Sequence, residues 1–227
     1  VVVAEFVLGR GTHANAKGAI SQLMPGTWMR WMPLLGVLAS VLILGFYSVV
    51  AGWILAYLYM AVTGMMSGHT PQEYGTMFGE FVSNPWLSTM CTILFLLINY
   101  IVLRRGVQKG IEKIANILMP LLFLILVVFC VNSLLMDGAG KGISFLFNPD
   151  FSKITPSVVV GAMGQAFFSL SVGLGCLLTY ASYFNDKTPL VKNAFTIGAL
   201  DTLVAILAGV MIFPAVFSFG MSAEAGP

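Results

Sequence analysis

The chain has 227 residues, is 58% hydrophobic and only 9% charged, and carries a formal net charge of +2 with a mean hydropathy of +0.93. So little charge excludes a soluble domain of this size, and the small basic excess, scattered in short loops, leaves no nucleic-acid footprint. Cys91, Cys130 and Cys176 lie in apolar stretches without paired spacing or a neighbouring histidine, which argues against a disulfide framework and a metal centre.

In chain order, residues 1–9 read as the end of one membrane helix. Val1 is not a methionine, barely half a span precedes Gly9 and Arg10, and Gly226–Pro227 directly follow a long apolar run. The sequence is therefore expected to be an internal piece of a larger protein. Uncharged runs follow at Pro33–Gly68, Pro85–Leu103, Ile114–Met136 and Ile154–Asn185, while Asn193–Ala223 holds a single charge, Asp201. Each approaches or exceeds the roughly 20 residues that span a bilayer core. Whole helices are expected at about 33–63, 86–103, 112–136, 157–184 and 189–220, together forming one all-α transmembrane domain. Gly64–Pro85 reads as an external loop, and Asn148–Pro149–Asp150 marks a turn in a short surface or re-entrant element before the fourth whole helix.

Positive residues gather on alternate loops of a membrane protein. Loops 10–32, 104–113 and 184–192 hold nine of the eleven Lys and Arg residues, whereas 64–85 and 137–153 hold only Lys141 and Lys153. The first three loops are assigned to the cytoplasm of a multi-pass protein in the cell membrane.

The segment 164–175, GQAFFSLSVGLG, interrupts this pattern. Gly173 and Gly175 weaken a helix, while Ser169 and Ser171 offer hydroxyls that compete for backbone groups. A helix that unwinds at mid-membrane is expected, and the freed backbone must line a protein-enclosed cavity, not lipid. Ser169 supplies a hydroxyl and, at the break, a carbonyl, both hard oxygen ligands suited to sodium. Asp201 in the next span is costly at that depth without a cation, a proton or a polar partner. The plainer alternative is a carboxylate bonded to Thr196 or Thr202. Glu5 is either a second functional acid or the bonding partner of a backbone break on a neighbouring helix. Gln165 can bond an ion-site carboxylate or make a neutral interhelical contact. Tyr47, between Gly45 and Gly52, needs a partner for its hydroxyl, in a ligand or in neighbouring backbone. Phe167, Phe168 and Leu174 suit an apolar pocket wall or plain packing.

An intramembrane protease is disfavoured, because Asp201 stands alone beyond Glu5 and His13 and His69 lie in loops. A cation channel is the closer rival to a carrier, since polar helix breaks also build filters.

The motifs EFVLGRG (5–11), FYSVVAGW (46–53), GVQKGIEKIANILMP (106–120), NPDFSKI (148–154), GQAFFSLSVGLGCLLTYASY (164–183) and ALDTLVAILAG (199–209) occur in this order. Over nearly the whole chain the sequence resembles the neurotransmitter:sodium symporter family, in particular its bacterial amino-acid transporters. The resemblance implies part of an inverted-repeat symporter fold, from the end of the second to the seventh membrane helix. The partner of the broken helix, in the family's first helix, and the helices from the eighth onward would lie outside this sequence, together with the second sodium site. By the same resemblance Tyr47 matches the tyrosine that bonds the substrate carboxylate and Ile43 a side-chain-pocket position. Phe168 matches the aromatic gate, Ser169 the hydroxyl shared by substrate pocket and first sodium site, and Ser171 and Leu174 specificity positions. Asp201 matches a sodium ligand that is often asparagine, and Ala205 stands where chloride-dependent members carry serine. Gly110 and Pro120 match a glycine–proline pair of the fifth helix associated with a water path to the inner sodium site. The implied activity is sodium-coupled uptake of an apolar amino acid by alternating access, without a need for chloride.

Overall fold

A computed structural model describes residues 1–66 and 68–221, with the side chains of residues 71, 72 and 107–109 outside the description. The described residues are helical, with no strand among them. Ten α-helices follow in order: α1 (Val2–Thr12), α2 (Ala16–Leu23), α3 (Pro33–Val62), α4 (Pro71–Ser83), α5 (Pro85–Arg104), α6 (Lys113–Leu134), α7 (Ala139–Phe147), α8 (Pro156–Ser169), α9 (Cys176–Ala181) and α10 (Leu190–Ser218). Short 3₁₀ turns lie at Trp28–Trp31 and Phe151–Lys153, and a π-helical turn at Val107–Glu112 leads into α6. Four helices, containing α3, α5, α6 and α10, are long and apolar enough to cross a membrane. The span expected at 157–184 with a mid-membrane break forms two half-helices, α8 and α9, separated by residues 170–175.

The loops hold helices that their composition hides. Loop 10–32 contains α2 and the Trp28–Trp31 turn, loop 64–85 contains α4, and loop 137–153 contains α7. Each is short and starts at a signal weaker than a hydrophobic run. Asn15 caps α2 by accepting the Gly18 N–H at 2.8 Å, and Thr70 and Glu73 form a reciprocal capping box on α4. The Thr70 backbone N–H donates to the Glu73 carboxylate at 2.6 Å, and this bond, with that from the Thr70 side chain, holds the Glu73 carboxyl below its usual value. The Ser152 hydroxyl and N–H do the same for Asp150.

The chain divides into two compact units, Val1–Val41 with Leu126–Pro227, and Leu42–Ile125. In the first, α1 packs along α9. Gly9 makes this possible, because a Cβ there would sit 2.8 Å from that of Ala181. Buried Phe6 meets Phe184 edge-on at 5.3 Å, beside Ala181 and Leu190. The far half of α10 is covered by α7, through Phe145 against Phe213 at 4.8 Å. It is tied to α6 by the Ser133 hydroxyl, which donates to the Met211 carbonyl at 2.7 Å.

In the second unit Gly52 lets α3 approach α5. A Cβ at Gly52 would lie 2.7 Å from the Thr92 backbone nitrogen, and Trp53 Nε1 donates to Ser88 Oγ at 2.9 Å. Pro120 lies inside α6, where it removes one helical hydrogen bond.

Candidate functional site

The site is built on the break between α8 and α9. Thr155 caps α8 by accepting the Val158 N–H, with Pro156 in the first turn. At its other end the regular bonding pattern slackens. Leu170 N–H still reaches Ala166, but Val172 N–H folds back to Phe167 at 2.9 Å. Ser171, Gly173 and Gly175 then take left-handed backbone angles, with φ of 53°, 83° and 78°, before α9 begins. Glycine pays no Cβ penalty there, whereas Ser171 is a side-chain-bearing residue in a sparsely used conformation of the kind that clusters at binding sites.

Three neighbours hold the opened backbone. Glu5, buried in α1, accepts the Gly173 N–H on Oε1 at 2.8 Å. Of the two readings open for this acid, the structure places it as a partner of the break. Its second oxygen, Oε2, is buried without a hydrogen-bond partner among the described residues. Gly36, in the first turns of α3, faces the break so closely that a Cβ there would lie 3.0 Å from the carbonyl oxygens of both Gly173 and Leu174. Ala16 of α2 closes the third side, 2.7 Å from where a Gly175 Cβ would stand. A cavity of about 380 Å³ adjoins these contacts, lined among others by Glu5, Ala16, Met24, Met32, Leu174 and Leu178.

On the α10 side of the break, the Ser169 hydroxyl donates to Asp201 Oδ1 at 2.7 Å. The threonines that the sequence offers as alternative partners turn back onto their own helix. Thr196 donates to the Lys192 carbonyl and Thr202 to the Gly198 carbonyl, both at 2.9 Å. By spending its proton on the carboxylate, Ser169 leaves its oxygen lone pairs free. A hydroxyl oxygen, a carboxylate and the carbonyls released where α8 ends are hard donors that suit a small monovalent cation better than a transition metal. Among the described residues no group of three or more His, Cys, Asp or Glu side chains forms a metal centre of another kind.

The remaining sequence-derived candidates divide by unit. Gln165 and Phe168 are exposed on α8, and Ser171 and Leu174 are half-buried within the break. Ile43 and Tyr47 stand about one turn apart on α3 in the second unit, where the Tyr47 ring meets Phe46 edge-on at 5.9 Å. Gly110, also there, is buried in the π-helical turn before α6, which Pro120 interrupts a few turns later.

Gly36 and Ala16 escape sequence reasoning, because small residues are common in and beside membrane helices and nothing marks these two. Arg10 and His13 are missed for a different reason, having been counted only as loop residues. Arg10 donates to the carbonyls of Asp186 and Thr188, and the His13 ring bonds the Ser182 carbonyl, so the end of α1 is tied to the loop after α9.

Comparison with known proteins gives concordant results. A family model described as the sodium:neurotransmitter symporter family matches residues 76–226. The sodium-dependent transporter YhdH of Bacillus subtilis is 38% identical over 227 residues, covering all of this chain and 50% of its own. A sodium-dependent nutrient amino acid transporter of Drosophila ananassae is 32% identical over 132 residues, 58% of this chain and 20% of that protein. The crystal structure of MhsT in complex with L-phenylalanine is similar with a TM-score of 0.93 at 43% identity, over 100% of this chain and 52% of that one. The chain thus spans about half the length of the bacterial relatives it matches.

Proposed function

Since the chain belongs to the sodium:neurotransmitter symporter family, whose members are membrane carriers and not enzymes, we propose that it forms the part of a sodium-coupled amino-acid transporter holding one half of the substrate and sodium sites. The observation that carries this reading is the Ser169–Asp201 bond at the helix break. It sets two hard oxygen ligands from different helices beside backbone carbonyls that have lost their helical partners. Sodium, a co-substrate here, is held by the oxygens of Ser169 and Asp201 together and pins the end of α8 to α10. Pinning that end fixes the neighbouring Phe168, Ser171 and Leu174, which contact the substrate; Ile43 and Tyr47 of the second unit take their substrate-contacting roles, the latter toward the substrate carboxylate, from the family resemblance alone. The ion gradient then drives uptake as the carrier alternates between its outward-open and inward-open forms.

The fixed charge of Asp201 takes the place of chloride in this account. Ala205, one turn further along α10, offers no hydroxyl to an anion. The other half of each site comes from helices of the same protein outside this sequence, in keeping with its coverage of about half of its relatives. The apolar side chains of Phe168 and Leu174 at the break, and separately that of Ile43 on α3, point to an apolar amino acid, and MhsT, similar over the full chain, was crystallised with L-phenylalanine.

The test is uptake by the intact protein in proteoliposomes. Saturable accumulation of an apolar amino acid under an inward sodium gradient, absent when potassium replaces sodium, is the expected result. Uptake confined to charged amino acids would overturn the substrate class, and non-saturable sodium flux without solute would favour a channel.

A further inference from the structure

The segment from α2 to the start of α3 presents a face that the transport reading does not use. Trp28 and Trp31, in the 3₁₀ turn just before α3, are 74% and 50% exposed, with Met29 and Met32 exposed between and after them. Tryptophan at the mouth of a membrane helix is the side chain of the bilayer interface, apolar in body and polar at one edge. Two cations share this spot. Lys17 Nζ lies 5.0 Å from the centre of the Trp31 ring, and the Arg30 guanidinium 5.2 Å from it. A cation over the face of an indole is attracted by the ring and held there without losing its charge.

No acid pairs with them among the described residues. Between Glu5 and Glu73 the sequence contains no Asp or Glu, and neither Lys17 nor Arg30 joins an ion pair among the described residues. Arg10, the other basic residue of this loop, is occupied by the Asp186 and Thr188 carbonyls. Two exposed cations, brought to one ring and placed where α3 enters the bilayer, are positioned to take an anion at headgroup depth.

We propose that Lys17, Arg30 and Trp31, with Trp28 beside them, form a binding site for the headgroup of an anionic phospholipid, with the indoles at the acyl boundary and the two cations on the phosphate. The inference requires that α3 cross a bilayer, but not that the protein transport any particular solute.

The test uses the intact transporter in phosphatidylcholine nanodiscs that carry a rising fraction of a brominated lipid, either phosphatidylglycerol or phosphatidylcholine. Tryptophan emission is compared with that of the W28F/W31F variant, so that the difference isolates this pair. Brominated phosphatidylglycerol is expected to quench the pair at a several-fold lower mole fraction than brominated phosphatidylcholine. Lys17→Gln with Arg30→Gln should erase that preference, while quenching by brominated phosphatidylcholine persists. The charge-conserving pair Lys17→Arg with Arg30→Lys should keep the preference. Equal quenching of the wild type by the two lipids overturns the proposal, as does a preference unchanged in the glutamine variant. No quenching by either lipid also overturns it, because protein or water would then cover the pair. Sodium-dependent amino-acid binding in the same discs reports on the transport reading separately, so each reading can fail alone.

Discussion

At the scale of single residues, the break depends on contacts that tolerate almost no added volume. Gly36→Ala would press a methyl group against the carbonyls of Gly173 and Leu174, and overpacking of this kind typically costs about 1–3 kcal/mol. Gly45→Ala, on the same helix but with nothing within 4 Å of the new methyl, is the matched control. Thermal unfolding of the purified transporter should show a lowered midpoint for Gly36→Ala alone, and equal midpoints would contradict the described geometry. Glu5 offers a second contrast. Glu5→Gln keeps an oxygen that can accept the Gly173 N–H, whereas Glu5→Ala leaves that donor without its partner, at roughly 1–3 kcal/mol. The alanine variant should therefore lose both stability and substrate affinity, and the glutamine variant should lose less of each. If the two behave alike, the Gly173 bond is not what Glu5 contributes.

At the scale of elements, what the sequence reveals depends on how strongly each element departs from its background. The interruption at 164–175 is visible because serines and closely spaced glycines are conspicuous in an apolar run, and Asp201 because a carboxylate inside a span is costly. The helices α2, α4 and α7 are not visible in this way. They are 8, 13 and 9 residues long and lie in segments rich in Gly, Ser and Thr, too short to read as spans; α2 and α4 begin at side-chain caps, whereas α7 has none and lies packed on α10. The apolar residues of α7, for example, gain their meaning only from Phe213 and Phe217 on α10, some 70 residues away in sequence. Distance in sequence hides the contacts of Arg10, His13, Gly36 and Ala16 in the same way.

The cap of α4 makes a prediction at this scale. Because Glu73 is held below its usual carboxyl value in the folded state, the stabilisation it gives is complete above the unfolded value. It is lost as pH falls through the folded value. Amide exchange in the first turns of α4, corrected for the intrinsic effect of pH, should therefore accelerate below roughly pH 4 and show no such change in Glu73→Gln. Identical pH profiles for wild type and variant would rule the cap out as the cause.

At the scale of the whole molecule, the charge pattern predicts which loops share a side of the membrane. Single cysteines at Lys17 and Lys187, in a background with Cys91, Cys130 and Cys176 replaced, should react with a membrane-impermeant maleimide only after cells are opened. Cysteines at Glu80 and Lys153 should react in intact cells. Labelling of all four from one side would contradict the assigned topology.

The account rests most heavily on sodium held jointly by Ser169 and Asp201, with the Asp201 charge replacing chloride. The direct measurement is a sodium titration of apolar amino-acid binding by the intact transporter in chloride-free buffer, for wild type and Asp201→Asn. The account predicts saturable binding to the wild type without chloride, and a sodium requirement raised about tenfold or more in the asparagine variant, a loss of at least ~1.4 kcal/mol. A wild type that needs chloride, or a variant with unchanged sodium affinity, would contradict it.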